Sequence, residues 1–132
     1  MGFGIKRNLT DALFSDIVRK LANWTCEWCK RSFEERRDIF DNSHFYSRRN
    51  KSVRFDFENT AALCRGCHIY FGEHPAEHAE FFKKKLGEEK FEALRVRAHT
   101  PEKVDEKTLR IGFKLMLKHI EQAKKKGILG AR

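Results

Sequence analysis

Two cysteine pairs of identical spacing constrain this chain more than any other feature of its sequence. Cys26 and Cys29 form the first pair and Cys64 and Cys67 the second, each with two residues between the cysteines. A Cys-x2-Cys turn presents two thiolates at a separation that suits a tetrahedral metal ion, and two such turns complete a four-thiolate site. We therefore predict a structural zinc ion bound by all four cysteines, with no open position for a substrate.

Two alternatives to zinc stay open at the level of sequence. The cysteines could be free thiols in the core, or they could form two redox-active Cys-x2-Cys motifs. A disulfide framework is disfavoured, because the N-terminus lacks the apolar segment of a signal peptide and we expect a cytoplasmic location. Zinc binding would contribute on the order of 10 kcal/mol to folding, which a core of this size could need.

The chain of 132 residues has the length of one domain, and its patterns predict an α+β fold. We expect an N-terminal helix in 1–22, a zinc-stabilised core in 23–72 and a helical extension in 73–132. In the core, Asp38–Tyr46 has the composition of a first strand, and Val53–Phe57 alternates apolar and polar residues as a second strand would. Helices are predicted from a cap at Thr10 to Ala22, after Cys64, from Pro75 to Gly87, over 88–97, and from Pro101 or Asp105 to Lys126.

The net charge of +9 favours a polyanionic partner, nucleic acid before an anionic membrane. No long stretch is free of charge, so we expect no membrane-spanning segment. The densest basic run near the predicted strands is expected to contact DNA phosphates, with a solvated loop as the alternative; its members are Arg48, Arg49, Lys51 and Arg54. The apolar residues from Ile111 to Ile120 would be core or the face of a homodimer.

Three polar residues lie between or beside the cysteine pairs. His44 falls near the end of the first predicted strand, Asn59 precedes the second pair, and His68 directly follows Cys67. A neutral imidazole can take a proton from water near pH 7, as a general base in phosphodiester hydrolysis must. Each residue alone also has an ordinary interpretation: a surface histidine, a turn asparagine, and a histidine that covers the zinc site.

The combined pattern resembles the HNH endonuclease family, whose core is the ββα-metal fold. The resemblance runs from Trp24 to Phe71, and it rests on Cys26/Cys29, Ser43-His44, Asn59 and Cys64-Arg65-Gly66-Cys67-His68. It implies a metal-dependent DNA endonuclease whose products carry 5′-phosphate and 3′-hydroxyl ends. His44 would be the general base, Asn59 would brace the loop that holds His44, and His68 would bind one catalytic Mg²⁺ or Mn²⁺.

A narrower resemblance is to phage NinG-like recombination proteins, and it implies branched recombination DNA as the substrate. A weakly specific nicking nuclease is a close variant of this hypothesis. The resemblance is carried by Ser43-His44-Phe45-Tyr46-Ser47-Arg48-Arg49, Arg54-Phe55-Asp56, Asn59, Cys64-x2-Cys67-His68 and the segment from Leu86-Gly87-Glu88-Glu89 to Leu94-Arg95.

The sequence departs from the family pattern at Ser43, where many members carry an aspartate or histidine that binds the catalytic metal. A serine hydroxyl is a poor magnesium ligand beside a carboxylate. The metal would then have fewer protein ligands or use Asp41, Asn42, Glu73 or His74. The competing function is a non-catalytic zinc-binding nucleic-acid adaptor, which needs the zinc site and the charge but not His44, Asn59 and His68 in this order.

Overall fold

Residues 6–127 are described in the computed structural model, and they form an α+β fold of five α-helices and one two-stranded sheet. The helices are α1 (Leu9–Leu21), α2 (Arg65–Glu73), α3 (Pro75–Leu86), α4 (Glu88–Ala98) and α5 (Glu106–Lys125). The strands are β1 (Phe40–His44) and β2 (Thr60–Cys64), which pair antiparallel with His44 opposite Thr60 and Phe40 opposite Cys64. Short 3-10 turns cover Arg37–Ile39, Lys51–Val53 and Phe57–Asn59.

The prediction that Val53–Phe57 forms the second strand is wrong. This segment belongs to the loop between the strands, and the partner of β1 is β2, which starts at Thr60. Arg54, predicted to contact DNA, is buried against α1, so the alternation of apolar and polar residues does not mark a strand with one solvent-facing side. β2 is buried at all five positions, and a strand covered on both faces carries no alternating signal.

The cap of α1 is Asn8, whereas the sequence pattern had favoured Thr10. The Asn8 side chain accepts a hydrogen bond from the Asp11 amide at 3.0 Å, and the Asp11 carboxylate accepts one from the Asn8 amide at 2.9 Å. This reciprocal pair is a capping box. Thr10 is instead buried, and its hydroxyl accepts a hydrogen bond from Arg110 of α5.

The later helix ends follow the predicted signals. Pro75 occupies the first turn of α3, and Gly87, at φ +83°, separates α3 from α4. Asp105 caps α5 by accepting a hydrogen bond from the Thr108 amide, and α5 ends at Lys125. No helix within residues 6–127 is both long enough and apolar enough to cross a membrane.

The sheet lies between α1 on one face and α2 on the other. Neighbouring residues of β1 point in opposite directions: Asn42 donates a hydrogen bond to Ser15 of α1, while Asp41 accepts one from His68 of α2. The core is built from large side chains of these layers and of α3, with Phe14, Leu63, Phe71 and Phe82 fully buried. α5 packs beside α1, in the same direction.

Candidate metal centre and basic groove

The four cysteine sulfurs converge between the first cysteine turn and the start of α2. All four Sγ atoms lie within 4.8 Å of one another, and those of Cys29 and Cys64 are 4.0 Å apart. A tetrahedral zinc with bonds of about 2.3 Å would hold sulfurs about 3.8 Å apart, so a small contraction completes the site. The cluster, which contains no disulfide, could therefore hold a metal ion such as zinc.

Local backbone geometry presents these sulfurs. In the first turn the Lys30 amide donates to the Cys26 carbonyl at 3.0 Å, and the Cys26 amide donates to the Arg31 carbonyl at 2.9 Å. Lys30 takes a left-handed φ of +65° to close the turn. Cys64 ends β2 and Cys67 lies in the first turn of α2, so the second pair spans the strand–helix junction.

The thiols of the cluster differ in acidity. Burial raises the pKa of Cys29, but hydrogen bonds from Arg31 outweigh it and lower the pKa to about 6. Burial raises the pKa of Cys64 and of Cys67. These shifts favour a thiolate at Cys29 and thiols at Cys64 and Cys67, whereas a divalent cation would stabilise thiolates at all four cysteines.

A groove of about 750 Å³ opens between α1, β1 and α2. Asp41, Asn42 and His44 of β1 line it together with His68 of α2. Its described lining carries two carboxylates, Asp11 and Asp41, against five arginines, so the groove has a net positive charge; the arginines are Arg7, Arg19, Arg48, Arg49 and Arg65.

One ring nitrogen of His44 is fixed by the fold. Its Nε2 lies 2.8 Å from the Arg54 carbonyl oxygen, and a carbonyl only accepts, so Nε2 carries the proton. In the neutral ring Nδ1 is then the unprotonated nitrogen, which a general base requires. Burial and the positive charge of Arg48 lower the pKa of His44, so the neutral ring prevails at pH 7.

Asn59 braces the loop between the strands from within. Its side chain is fully buried, and its amide nitrogen donates to the carbonyls of Tyr46 and Val53 at 2.9 and 3.0 Å. Its amide oxygen accepts from the Tyr46 amide at 2.8 Å. These bonds fix the loop on both sides of Arg54, whose carbonyl orients His44.

His68 is oriented by a carboxylate. Its Nδ1 donates to Asp41 at 3.1 Å, which leaves the lone pair of Nε2 for a ligand. Arg65 donates to both oxygens of Asp41 at 2.9 Å. Burial would raise the pKa of Asp41, but His68 and Arg65 hold it well below its usual range.

The residues considered as substitutes for Ser43 separate into two groups. Asp41 and Asn42 line the groove, and the buried Oδ1 of Asn42 has no hydrogen-bond partner within residues 6–127. Glu73 and His74 do not line it; His74 stacks on Tyr70 with ring centroids 3.8 Å apart. Ser43 is buried and lies outside the lining residues, so it offers nothing to a groove ligand.

The predicted DNA-contacting residues are also divided by the structure. Arg48 and Arg49 line the groove, whereas Lys51 is exposed outside it. Arg54 is withdrawn from this set, because its guanidinium is buried and donates to Asp11 at 3.0 and 2.5 Å. Its charge neutralises a carboxylate inside the fold.

Several groove residues were not identified from the sequence. Asp11, Ser15 and Arg19 repeat every four residues along α1, and Arg7 precedes the helix at the same spacing. This polar stripe is a signal that could have indicated a helix face on a site. Arg65 carries no comparable signal, since its role depends on Asp41, 24 residues away.

No family model, no curated protein and no solved structure matches this chain. The groove and the cysteine cluster are the features of the molecule that indicate a function.

Proposed function

We propose that this protein is a metal-dependent DNA endonuclease of the HNH type, which hydrolyses phosphodiester bonds. The observation that carries the proposal is His44: its Nε2 is bound to a backbone carbonyl, its Nδ1 is left unprotonated, and it shares a basic groove with His68. A histidine with an ordinary structural role does not need to line a groove of net positive charge.

In the proposed reaction His44 accepts the proton of a water molecule as the water oxygen attacks phosphorus. The bond from phosphorus to the 3′ oxygen breaks, and the leaving oxygen is protonated from solvent. His68 Nε2, with Asp41 behind its ring, would hold one divalent cation, Mg²⁺ or Mn²⁺. Such a cation supplies positive charge where the leaving oxygen becomes anionic.

The chain order around the groove supports the same proposal. β1, β2 and α2 follow one another, and the cysteine cluster joins the end of β2 to the start of α2. The HNH family that this sequence resembles has a ββα-metal core with the same order of elements, held together by a structural zinc. Zinc would hold α2, and with it His68, against the hairpin that carries His44.

Phosphate contacts from arginines bind DNA without identifying bases, so we expect weak sequence specificity. Arg48 and Arg49 of the loop and Arg7 and Arg19 from the α1 side are the proposed contacts. Branched recombination DNA is the more specific substrate, and it follows from the NinG-like resemblance alone.

The test is nicking of supercoiled plasmid in Mg²⁺, in Mn²⁺ and in chelator. His44→Ala should lower the nicking rate by about 100-fold or more, because it removes the general base. His119→Ala is the matched control, since His119 is exposed on α5 and does not line the groove. Equal nicking by wild type and His44→Ala, with folded protein in both, would refute the assignment.

A non-catalytic DNA adaptor is the second candidate, and one observation favours it. Arg65 donates to both oxygens of Asp41, so this carboxylate is already engaged by a cation. A metal bound beside Asp41 would then depend mainly on His68. On this hypothesis wild type and His44→Ala bind DNA equally, and neither cleaves plasmid or branched DNA with either metal.

A further inference from the structure

The exposed face of α5 carries a single line of lysines. At 3.6 residues per turn, positions 107, 114, 118 and 125 fall within about 40° of one another around the helix axis. All four are exposed lysines, on the side opposite the buried Phe113 and Ile120. The line, here called the α5 stripe, consists of Lys107, Lys114, Lys118 and Lys125, and it is about 27 Å long at 1.5 Å per residue.

Within residues 6–127 unpaired lysines also occur elsewhere on the surface, as at Lys83 and Lys84, but the α5 stripe aligns four of them along one helix face. Arginines elsewhere are matched to carboxylates, as in Arg36 with Asp38 and Arg97 with Asp56. Within residues 6–127 none of the four stripe lysines lies within 4.0 Å of a carboxylate oxygen, although Glu121 is on the same face. A helix face that served solvation alone would be expected to mix both signs.

The chemistry of the stripe selects among occupants. A membrane-bound amphipathic helix buries a broad apolar face in lipid, whereas on α5 Phe113 and Ile120 are buried in the fold and Ile111, Leu115 and Met116 are left exposed. A second copy of the chain would bring like charges together across a two-fold axis. Duplex DNA offers phosphates along a path as long as the stripe.

We propose that the α5 stripe is a second DNA-binding surface, which contacts the phosphate backbone of a duplex. It is separate from the groove, because none of its four lysines lines the groove. The inference rests on the proposed function only in taking DNA as the partner. The stripe would add affinity without base recognition, and cleavage would stay with His44.

The experiment measures binding of the full chain to a labelled duplex in EDTA, which prevents cleavage, at about 50 to 200 mM salt. The stripe variant carries K107Q, K114Q, K118Q and K125Q. The control variant carries K83Q, K84Q, K90Q and K103Q, four exposed lysines on other parts of the surface. Both variants lose four positive charges, so net charge is matched, and circular dichroism checks that both are folded.

The stripe variant should reduce the slope of log affinity against log salt by about three to four, whereas the control variant should leave it near that of wild type. Equal slopes in the two variants would overturn the inference. So would a stripe variant that binds the duplex as wild type does but loses binding to anionic vesicles. The nuclease proposal fails separately: if the stripe variant loses slope while wild type and His44→Ala nick equally, the DNA surface stands and the catalytic assignment falls.

Discussion

The pKa of His44 is set by burial and by three neighbouring residues. Burial and Arg48 lower its pKa, while the hydrogen bond to the Arg54 carbonyl and the charge of Asp11 oppose them. In the proposed reaction the unprotonated ring is the base, so activity should rise with pH through the pKa of His44 in the folded protein. We expect the acid limb of the nicking rate, at saturating DNA, to have its midpoint below the ordinary histidine value of about 6.5.

The Arg48→Gln variant checks the cause of this shift. Removing the positive charge of Arg48 relieves one of the effects that lower the pKa of His44, so the midpoint of the acid limb should move to higher pH. Arg49→Gln removes the same charge from a neighbouring position of the groove and serves as control. A midpoint above 6.5 in wild type, or equal midpoints in both variants, would contradict this account.

The buried ion pair of Asp11 and Arg54 joins α1 to the loop between the strands. Asp11→Ala would leave the Arg54 guanidinium buried without a partner and should lower the free energy of unfolding by about 3–5 kcal/mol. Asp16→Ala removes a carboxylate that pairs with Arg19 at the surface of the same helix, and should cost less than about 1 kcal/mol. Urea unfolding at pH 7 measures the free energy of unfolding of both variants. Similar losses would mean that the buried pair stabilises the fold no more than a surface pair does.

The same pair predicts an acid-sensitive stability. Burial raises the pKa of Asp11, but its bonds to Arg54 and Asn8 outweigh this and lower it. A carboxyl with a lowered pKa stabilises the fold above the unfolded value of about 3.9, and this stabilisation is lost as pH falls through the folded pKa. The excess stability of wild type over Asp11→Ala should therefore shrink on acidification below pH 4.

How much of the site could be predicted depends on how far apart in sequence its partners lie. The four-cysteine cluster could be predicted because two pairs of equal spacing carry its signal, whereas His44, Asn59 and His68 stand out only through an order that resembles the HNH family. Asp11 and Arg54 are 43 residues apart, and a buried ion pair leaves no trace in either local pattern. Arg54 was therefore counted with its basic neighbours as a DNA contact, although its charge is used inside the fold.

At the scale of elements, α4 holds the loop that carries Arg48 and Arg49 of the groove. Asn50 and Ser52 donate to the carbonyls of Ala98 and Thr100, at 2.7 and 2.8 Å. Arg97 donates to Asp56 and Glu58, at 2.8 and 2.9 Å, near the other end of the loop. The helix thus positions the loop without lining the groove.

Arg97→Gln should lower the nicking rate by about 10- to 100-fold, because a small displacement of the loop moves the Arg54 carbonyl that orients His44. Arg95→Gln is the matched control: the partner of Arg95 is Glu92 of the same helix, so its loss does not affect the loop. Zinc content should be unchanged in both. Equal rates in the two variants would show that α4 does not position the base.

Element prediction succeeded where the chain carries its own boundary signals and failed where burial removed them. Pro75, Gly87 and Asp105 marked helix ends that the structure confirms. β2 has the sequence TAALC, which is apolar or small throughout and lies between two layers, so no periodicity separates it from its surroundings. The loop that precedes it carries an alternating pattern without being a strand, because Val53 and its polar neighbour Arg54 are both buried there.

For the molecule as a whole, two metals would have different tasks. The cysteine cluster joins the first turn, β2 and α2, which are distant in sequence, so a structural zinc would contribute on the order of 10 kcal/mol to folding. A cation at His68 would meet an open groove and few protein ligands, so it should bind weakly and exchange freely.

Removing the metals one at a time separates these tasks. A mild chelator should stop nicking while far-UV circular dichroism and zinc content stay constant, and added Mg²⁺ should restore the rate. Modification of the thiols in a strong zinc chelator should release about one zinc per chain and unfold the protein, and Mg²⁺ should then restore no nicking activity.

Two outcomes would contradict this division. If unfolding accompanies the loss of nicking at every chelator strength, the two metals are not separable. If all four thiols react without zinc release or unfolding, the cluster is a redox centre. Nicking that survives removal of Mg²⁺ with the fold intact would exclude the metal assigned to His68, because hydrolysis would then need only His44 and the arginines of the groove.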